Sequence, residues 1–311
     1  NINYLKMLRD ILKFNKNAVS FAADTSLTIR ELLKLLGTGD WFRDYYLLPF
    51  SGAIWSTPKN KILDFPAHAM ISFFENHALL NRTGQHQWFT VDGGSVQYVD
   101  RLKRELAKRN VELRLGNPIK EVRRGPIGVK ISSQKSEMEY FDHVVFATHS
   151  DDTLKLIADP SMGEAAALGA IKYQPNQAVL HHDQNVMPKN RNCWASWVYT
   201  EDKKASLDPI GLTYWMNSLQ PIPETDPMFV TLNSKNKIDP YKIYDEATFM
   251  HPVYDLPALK AQKDLAENNG KNNTWFCGAW MKNGFHEDGL ASAIDVVAKF
   301  SDKISVKIAA Q

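Results

Sequence analysis

Residues 275–300, WFCGAWMKNGFHEDGLASAIDVVAKF, join a short apolar strand to an amphipathic helix through a loop carrying Gly278, Gly284 and Gly289. Such a junction can hold a cofactor. The first backbone N–H groups of a helix lack intrahelical partners and sit at the positive end of its dipole. Asp288 to Ala291 are therefore placed to donate to an anion or an electron-rich carbonyl. Glycines at the bend would let a ligand approach the backbone closely. Leu290, Ile294, Val297, Ala298 and Phe300 fall mainly on one helical face, the expected core-facing stripe. The same features serve an ordinary strand–loop–helix corner, and Glu287 and Asp288 suit the first turn of any helix by their charge.

Other chemistries fit less well. His181, His182 and Asp183 are adjacent, and strand alternation sends the two imidazoles to opposite faces, so no metal is expected. No G-x-S-x-G elbow offers a hydrolase nucleophile. Trp194, Trp197, Tyr199, Tyr214 and Trp215 read first as core, and second as the apolar wall of a substrate site. A formal net charge of +2 with dispersed basic residues argues against a dedicated nucleic-acid surface. The short runs Arg123-Arg124 and Lys203-Lys204 read as solvated turns. The only cysteines are Cys193 and Cys277, so a reducing, cytoplasmic compartment is expected rather than a disulfide framework. No apolar run reaches the roughly 18–20 residues that span a bilayer.

The elements that must position these residues alternate along the chain. Residues 4–80 read as helical: Leu5, Leu8, Ile11 and Leu12 share a face, Thr28-x-x-Glu31 is a capping box, and Pro66 opens a helix towards Leu80. From Trp88 the period changes. Trp88–Val91 reads as a strand, Gly93-Gly94 as a turn, and Ser95–Arg109 as a helix with Val96, Val99, Leu102 and Leu106 inward. Val111, Leu113 and Leu115 alternate as a strand, and Ile127, Val129 and Ile131 begin a ribbon. His143–Thr148 is nearly continuous in apolar residues, the sign of a central strand covered on both faces. Strands and helices mix from 170 to 250, and the last strand is Thr274–Cys277.

The strand–glycine–loop–glycine–helix segment resembles the C-terminal flavin-binding motif of the flavin-containing amine oxidase and phytoene desaturase superfamily. More narrowly, G-A-W-x-x-x-G-F-H-E-D-G-L at 278–290 resembles the NAD/FAD-binding oxidoreductases that accompany cyclopropane-fatty-acid synthases. FDHVVFATHSDDTLKLI at 141–157, LHHDQNVMPKNRNCWASWVY at 180–199 and TYWMNSLQPIPETDPMFVTLN at 213–233 agree with that family in the same order. The resemblance implies an α/β fold, in which an FAD-binding doubly wound (Rossmann-like) domain, incomplete here, is interleaved with an α+β substrate domain. Residues 1–87 and 150–250 would form the substrate side, and 88–149 and 251–311 the FAD side.

The implied cofactor is FAD. Gly93 and Gly94 match the turn that re-enters the cofactor domain, Ile119 the position whose backbone meets the adenine, and Ala147 and Thr148 a strand end near the pyrophosphate. Gly278, Ala279, Gly284, Glu287, Asp288, Gly289 and Leu290 form the flavin loop. Ala279-Trp280 follows the strand glycine where many relatives place an acidic residue on the ribityl chain, so Glu287 or Asp288 is the substitute. No motif assigns a catalytic base; His286 and Glu287, nearest the ring in sequence, are the candidates for tuning or proton handling. The opening strand with a G-x-G-x-x-G turn is not found. Gly37-Thr38-Gly39 lacks the third glycine, and Gly93-Gly94-Ser95 has no continuation. The expectation is an N-terminally truncated piece, lacking a dinucleotide-binding unit of about 80–100 residues, with FAD binding by the piece itself left open.

The function implied is an FAD-dependent oxidoreductase acting on a lipid acyl chain or similar apolar substrate by hydride transfer to flavin N5. The alternative is a non-catalytic lipid-binding or accessory flavoprotein that partners a cyclopropane-fatty-acid-synthase-like methyltransferase. The helical first 80 residues are the candidate for peripheral contact with the inner face of a membrane.

Overall fold

Local signals set the first helices. Thr28 and Glu31 cap the helix Ile29–Leu36 reciprocally, Glu31 accepting the Thr28 N–H at 2.8 Å. Pro66 precedes the helix Ala67–Asn76. The helix Ile2–Phe21 turns differently from its apolar pattern: Asp10, Phe14 and Ala18 are buried, while Leu5, Leu8 and Leu12 stay 64%, 39% and 42% exposed. Two contacts set that rotation. The Asp10 carboxylate accepts the Gly39 N–H at 2.9 Å, and Phe14 packs on Phe42 with ring centroids 5.2 Å apart.

The computed structural model describes residues 1–55, 59–81, 83–84, 86–200, 211–234 and 236–309, so Lys203-Lys204 lies outside the described residues. Contacts divide the chain into two units, Asn1–Glu112 with Gln174–His251, and Leu113–Tyr173 with Pro252–Gln311. In chain order the strands are β1 Ile119–Gly125, β2 Gly128–Ser133, β3 Glu139–Phe141, β4 Val144–Phe146, β5 Lys172–His181, β6 Trp197–Thr200, β7 Gly211–Trp215, β8 Phe229–Leu232, β9 Ile243–Val253 and β10 Thr274–Phe276.

In the first unit a five-stranded sheet runs in the order β6-β7-β8-β5-β9, with β6/β7, β7/β8 and β8/β5 antiparallel. Its faces bury alternate residues. Val179, Val198 and Phe229 pack with Trp194 and Trp215 on one side, and Ala178, Leu212 and Leu232 pack with Tyr199 and Tyr214 on the other. Trp194, Tyr199, Tyr214 and Trp215 are thus half-buried against the core, and Trp197 is 42% exposed.

His181 is fully buried in that sheet. Its Nδ1 accepts the Asp183 N–H at 3.1 Å, so Nε2 carries the proton and donates to Thr231 Oγ1 at 2.7 Å; Thr231 Oγ1 lies 3.0 Å from Thr213 Oγ1. Burial pushes the imidazole down from 6.5 to about 4, against the attraction of Asp183. Between those values the unfolded chain binds a proton that the folded chain refuses, so stability present above pH 6.5 is lost as pH falls towards 4, by roughly 3 kcal/mol. His181→Gln should remove that share of the acid limb. Urea titrations at neutral and acidic pH would show it, and equal pH slopes for the two proteins would refute it.

The second unit contains the antiparallel sheet β1-β2-β3 and the parallel pair β4/β10. Val122, Val129, Val144, Phe146 and Phe276 pack against Leu168, Ala258 and Leu265 of the helices Met162–Ala170 and Leu256–Asn268. Arg124 is no solvated turn residue: its side chain is 2% exposed and paired with Glu164 and Asp159.

Several expectations change because a strand needs a ladder partner. Trp88–Val91 and Val111–Leu115 adopt no strand, and Trp88, Phe89 and Leu115 are 74%, 89% and 75% exposed. The helix Val96–Lys108 buries none of its residues. Ile127 sits outside β2 at 90% exposure. β4 is three residues long and pairs, among the described residues, with β10 alone, leaving Val145 49% exposed. In the final helix, His286–Ala309, Val296 packs on Trp275 and Cys277, so Leu290, Ile294 and Val297 face outward at 57%, 57% and 62% exposure.

Candidate functional site

The parallel pairing sets Val144 beside Thr274 and Phe146 beside Phe276, and it continues as the Cys277 N–H donates to the Phe146 carbonyl at 3.0 Å. The carboxyl ends of β4 and β10 therefore open at the same level, where parallel sheets hold ligands. Ala147 and Thr148 leave β4 exposed; the loop from Gly278 to Leu290 leaves β10.

That loop is braced from several sides. Trp280, 3% exposed, donates its indole N–H to the Thr148 carbonyl at 2.9 Å, fastening the two strand ends together. Gln262, on the helix Leu256–Asn268, donates to the carbonyls of Trp280 and Lys282 at 2.7 Å each. Ser292 Oγ accepts the Gly278 N–H and donates to the Gly289 carbonyl, both at 2.8 Å. Lys282 pairs with Asp295 at 2.9 Å.

Gly278 and Gly284 hold φ of 144° and 90°, a region that strains any residue with a Cβ. The space they leave is taken by the protein. A Cβ at Gly278 would stand 2.7 Å from Trp280 Nε1, and one at Gly284 2.5 Å from the Tyr254 hydroxyl. These two glycines admit Trp280 and Tyr254, which corrects the expectation that they clear the way for a ligand. Gly289 is an ordinary helical residue, and a Cβ there would approach only Ala279 N, at 3.8 Å.

The helix begins at His286. Its start is half capped: Asp288 accepts the Phe285 N–H at 3.0 Å, and the Gly289 N–H already bonds to the Phe285 carbonyl. The donors that precede the helical ladder are therefore those of Glu287 and Asp288, one step upstream of the expected Asp288–Ala291 set. His286 and Glu287 are exposed. Burial pushes the Cys277 thiol up, away from thiolate chemistry. Burial, reinforced by Asp288 and Tyr173, also raises Tyr254, which stays a neutral hydroxyl.

The structure thus gathers Ala147, Thr148, Gly278, Ala279, Gly284, Glu287, Asp288, Gly289 and Leu290 around one pair of strand ends. Gly93 and Gly94 form a turn in the first unit. Ile119 opens β1 in the second unit, 41% exposed, outside the hydrogen bonds that brace the loop. Gln262, Ser292 and Tyr254 were not singled out by sequence. Only Ser292 carried a local signal, a hydroxyl three residues after a helical glycine. His149, Asp151 and Asp152 bring ligand-type atoms within 4.8 Å of one another, but Lys155 answers both carboxylates at 3.4 and 2.8 Å.

The sequence profile of the flavin-containing amine oxidoreductases matches residues 17–202, over half of the chain. A comparison with curated proteins finds no match. Solved structures of similar fold include a CLA-producing fatty acid isomerase from P. acnes, 12% identical, covering 96% of this chain and 75% of its own, with a TM-score of 0.61. Putrescine oxidase is 11% identical over 96% of this chain and 76% of its own, TM-score 0.64. A reduced UDP-galactopyranose mutase is 12% identical over 88% and 68%, TM-score 0.56.

Proposed function

We propose that this chain, which belongs to the flavin-containing amine oxidoreductases, turns its flavin on the acyl chain of a membrane lipid. Its fold is the α/β fold of that family, its cofactor is FAD, and it is a flavin-dependent oxidoreductase.

The ends of β4 and β10 fit such a cofactor. Ala147 and Thr148 are exposed there, Glu287 and Asp288 present helix-start N–H groups, and Gly289 leaves its Cβ position open apart from Ala279 N. In our reading these residues, with Ala279 and Leu290, hold the cofactor, whose own chemistry when bound is to accept a hydride, while Gly278 and Gly284 shape the loop by admitting Trp280 and Tyr254. Ile119, at the start of β1 in the same unit, would contribute from a separate segment. The N–H groups of Glu287 and Asp288 would favour electron density at the helix start. Exposed His286 and Glu287 would hold or release the accompanying proton. Trp280, Gln262 and Ser292 act by keeping the loop in place.

The observation that carries the acyl reading is the fold shared with a fatty acid isomerase, joined to the likeness of the 278–290 loop to oxidoreductases that accompany cyclopropane-fatty-acid synthases. A methyltransferase of that kind is the partner this reading implies. The test is anaerobic bleaching of the flavin band of the FAD-loaded protein. A phospholipid extract should reduce it and putrescine should not, and an acceptor should restore it. Reduction by the amine alone would overturn the proposal, whereas retained flavin that neither compound reduces would favour the accessory, non-catalytic role.

A further inference from the structure

The helix Ile2–Phe21 carries a surface that the packing of its unit leaves unused. Leu5, Leu8, Leu12 and Val19 recur at helical spacing on one stripe and are 64%, 39%, 42% and 42% exposed. Successive residues turn by about 100°, which places Lys16, Arg9, Lys13 and Lys6 in the sector directly beside that stripe. All four cations are exposed. The helix has one carboxylate, Asp10, which is 2% exposed and engaged by Arg9 at 3.1 Å and by the Gly39 N–H at 2.9 Å. The outer surface of the helix is therefore apolar on one side, and every exposed charge on the next is positive.

We infer that this helix lies on the surface of an anionic phospholipid bilayer, with the leucine stripe in the acyl boundary and the lysines at the headgroup phosphates. Three features select this occupant. An apolar stripe flanked by Lys and Arg is the pattern of helices that lie in a membrane interface. A second copy of the chain would bring two cationic sectors together without an exposed carboxylate on this helix to relieve them. Lastly, no described helix is long and apolar enough to cross a membrane, so the contact is one of lying on the surface. The inference rests on exposure and charge, and it stands whichever substrate the flavin meets.

Flotation of the full chain with vesicles tests it. Vesicles of phosphatidylcholine mixed with phosphatidylglycerol should carry the protein upward, vesicles of phosphatidylcholine alone should not, and added salt should release it. Lys6→Gln with Lys16→Gln should weaken partitioning more than tenfold, at about fivefold for each charge. Leu8→Ser with Leu12→Ser should weaken it by about tenfold or more, with a small fall in melting temperature, since the side chains are 39% and 42% exposed and serine is the poorer helix former. The lysine pair keeps the test decisive if the serine pair disturbs the helix. Absence of flotation on anionic vesicles, or binding that survives both double substitutions, would overturn the assignment.

Discussion

Replacing Arg124 with methionine is expected to cost the protein about 3–5 kcal/mol, the usual loss when one partner of a buried ion pair is removed. The side chains of Arg124 and Glu164 are 2% and 8% exposed. Arg124 donates to Glu164 Oε2 at 3.0 Å, to Asp159 Oδ1 at 3.2 Å and to the Asp159 carbonyl at 2.6 Å, tying β1 to the helix Met162–Ala170. Burial by itself would push the Glu164 carboxyl up, but hydrogen bonds from Arg124 and Ser161 more than reverse it and hold the group below the usual carboxylate range.

The sign of the pH dependence follows. In the parent protein, this pair contributes stability that is present at neutral pH and is lost as pH falls through the lowered Glu164 value. In Arg124→Met the burial cost of Glu164 dominates, its carboxyl rises, and protonation relieves part of the damage. The deficit should therefore be largest near neutrality and smaller in mild acid. Arg124→Met combined with Glu164→Leu should recover much of the loss, since an apolar pair leaves no buried charge. Urea unfolding of the three proteins at two pH values measures this, and a deficit under about 1 kcal/mol at neutral pH would show the pair to be effectively solvated.

Gly284→Ala should cost roughly 3 kcal/mol and release FAD, through strain at φ 90° and a Cβ driven to 2.5 Å from the Tyr254 hydroxyl. Tyr254 cannot step aside easily, being 5% exposed. Gly289→Ala is the contrasting change. Its Cβ finds ordinary contact at 3.8 Å from Ala279 N, and alanine in a helix gains up to about 1 kcal/mol over glycine. The fold should hold or tighten while FAD retention falls, because the methyl fills the open position assigned to the cofactor. Melting temperature and the flavin-to-protein absorbance ratio after gel filtration separate the two cases. Tyr254→Phe should restore part of the Gly284→Ala loss; failure to do so would mean that the clash with the hydroxyl is not the cause. Full flavin occupancy in Gly289→Ala would move the cofactor away from this helix start.

Part of the fold was legible because its signals are local. The Thr28–Glu31 box spans four residues, Pro66 acts on the helix it precedes, and the 278–290 loop is one continuous stretch between a strand and a helix. Interactions of this range are written in neighbouring residue types, and so is the family likeness that points to FAD. The orientation of apolar stripes was not legible. Periodicity shows that Leu5, Leu8 and Leu12, or Leu290, Ile294 and Val297, share a face, but it cannot say whether another element arrives to cover that face. In the first helix the Asp10–Gly39 and Phe14–Phe42 contacts decided the rotation instead.

By itself, the sequence determined the Thr28–Glu31 cap, the Gly93-Gly94 turn, the glycine-bearing loop and the flavin family, each encoded in residues close along the chain or in a long matching order. Only the tertiary structure decided that Arg124 is buried, since Glu164 stands 40 positions away. It likewise decided that Gly278 and Gly284 serve Trp280 and Tyr254, and that Trp280 reaches Thr148 across 132 positions to fasten two strand ends. Burial and close contact depend on which distant segments meet, and no local spacing of residue types contains that information.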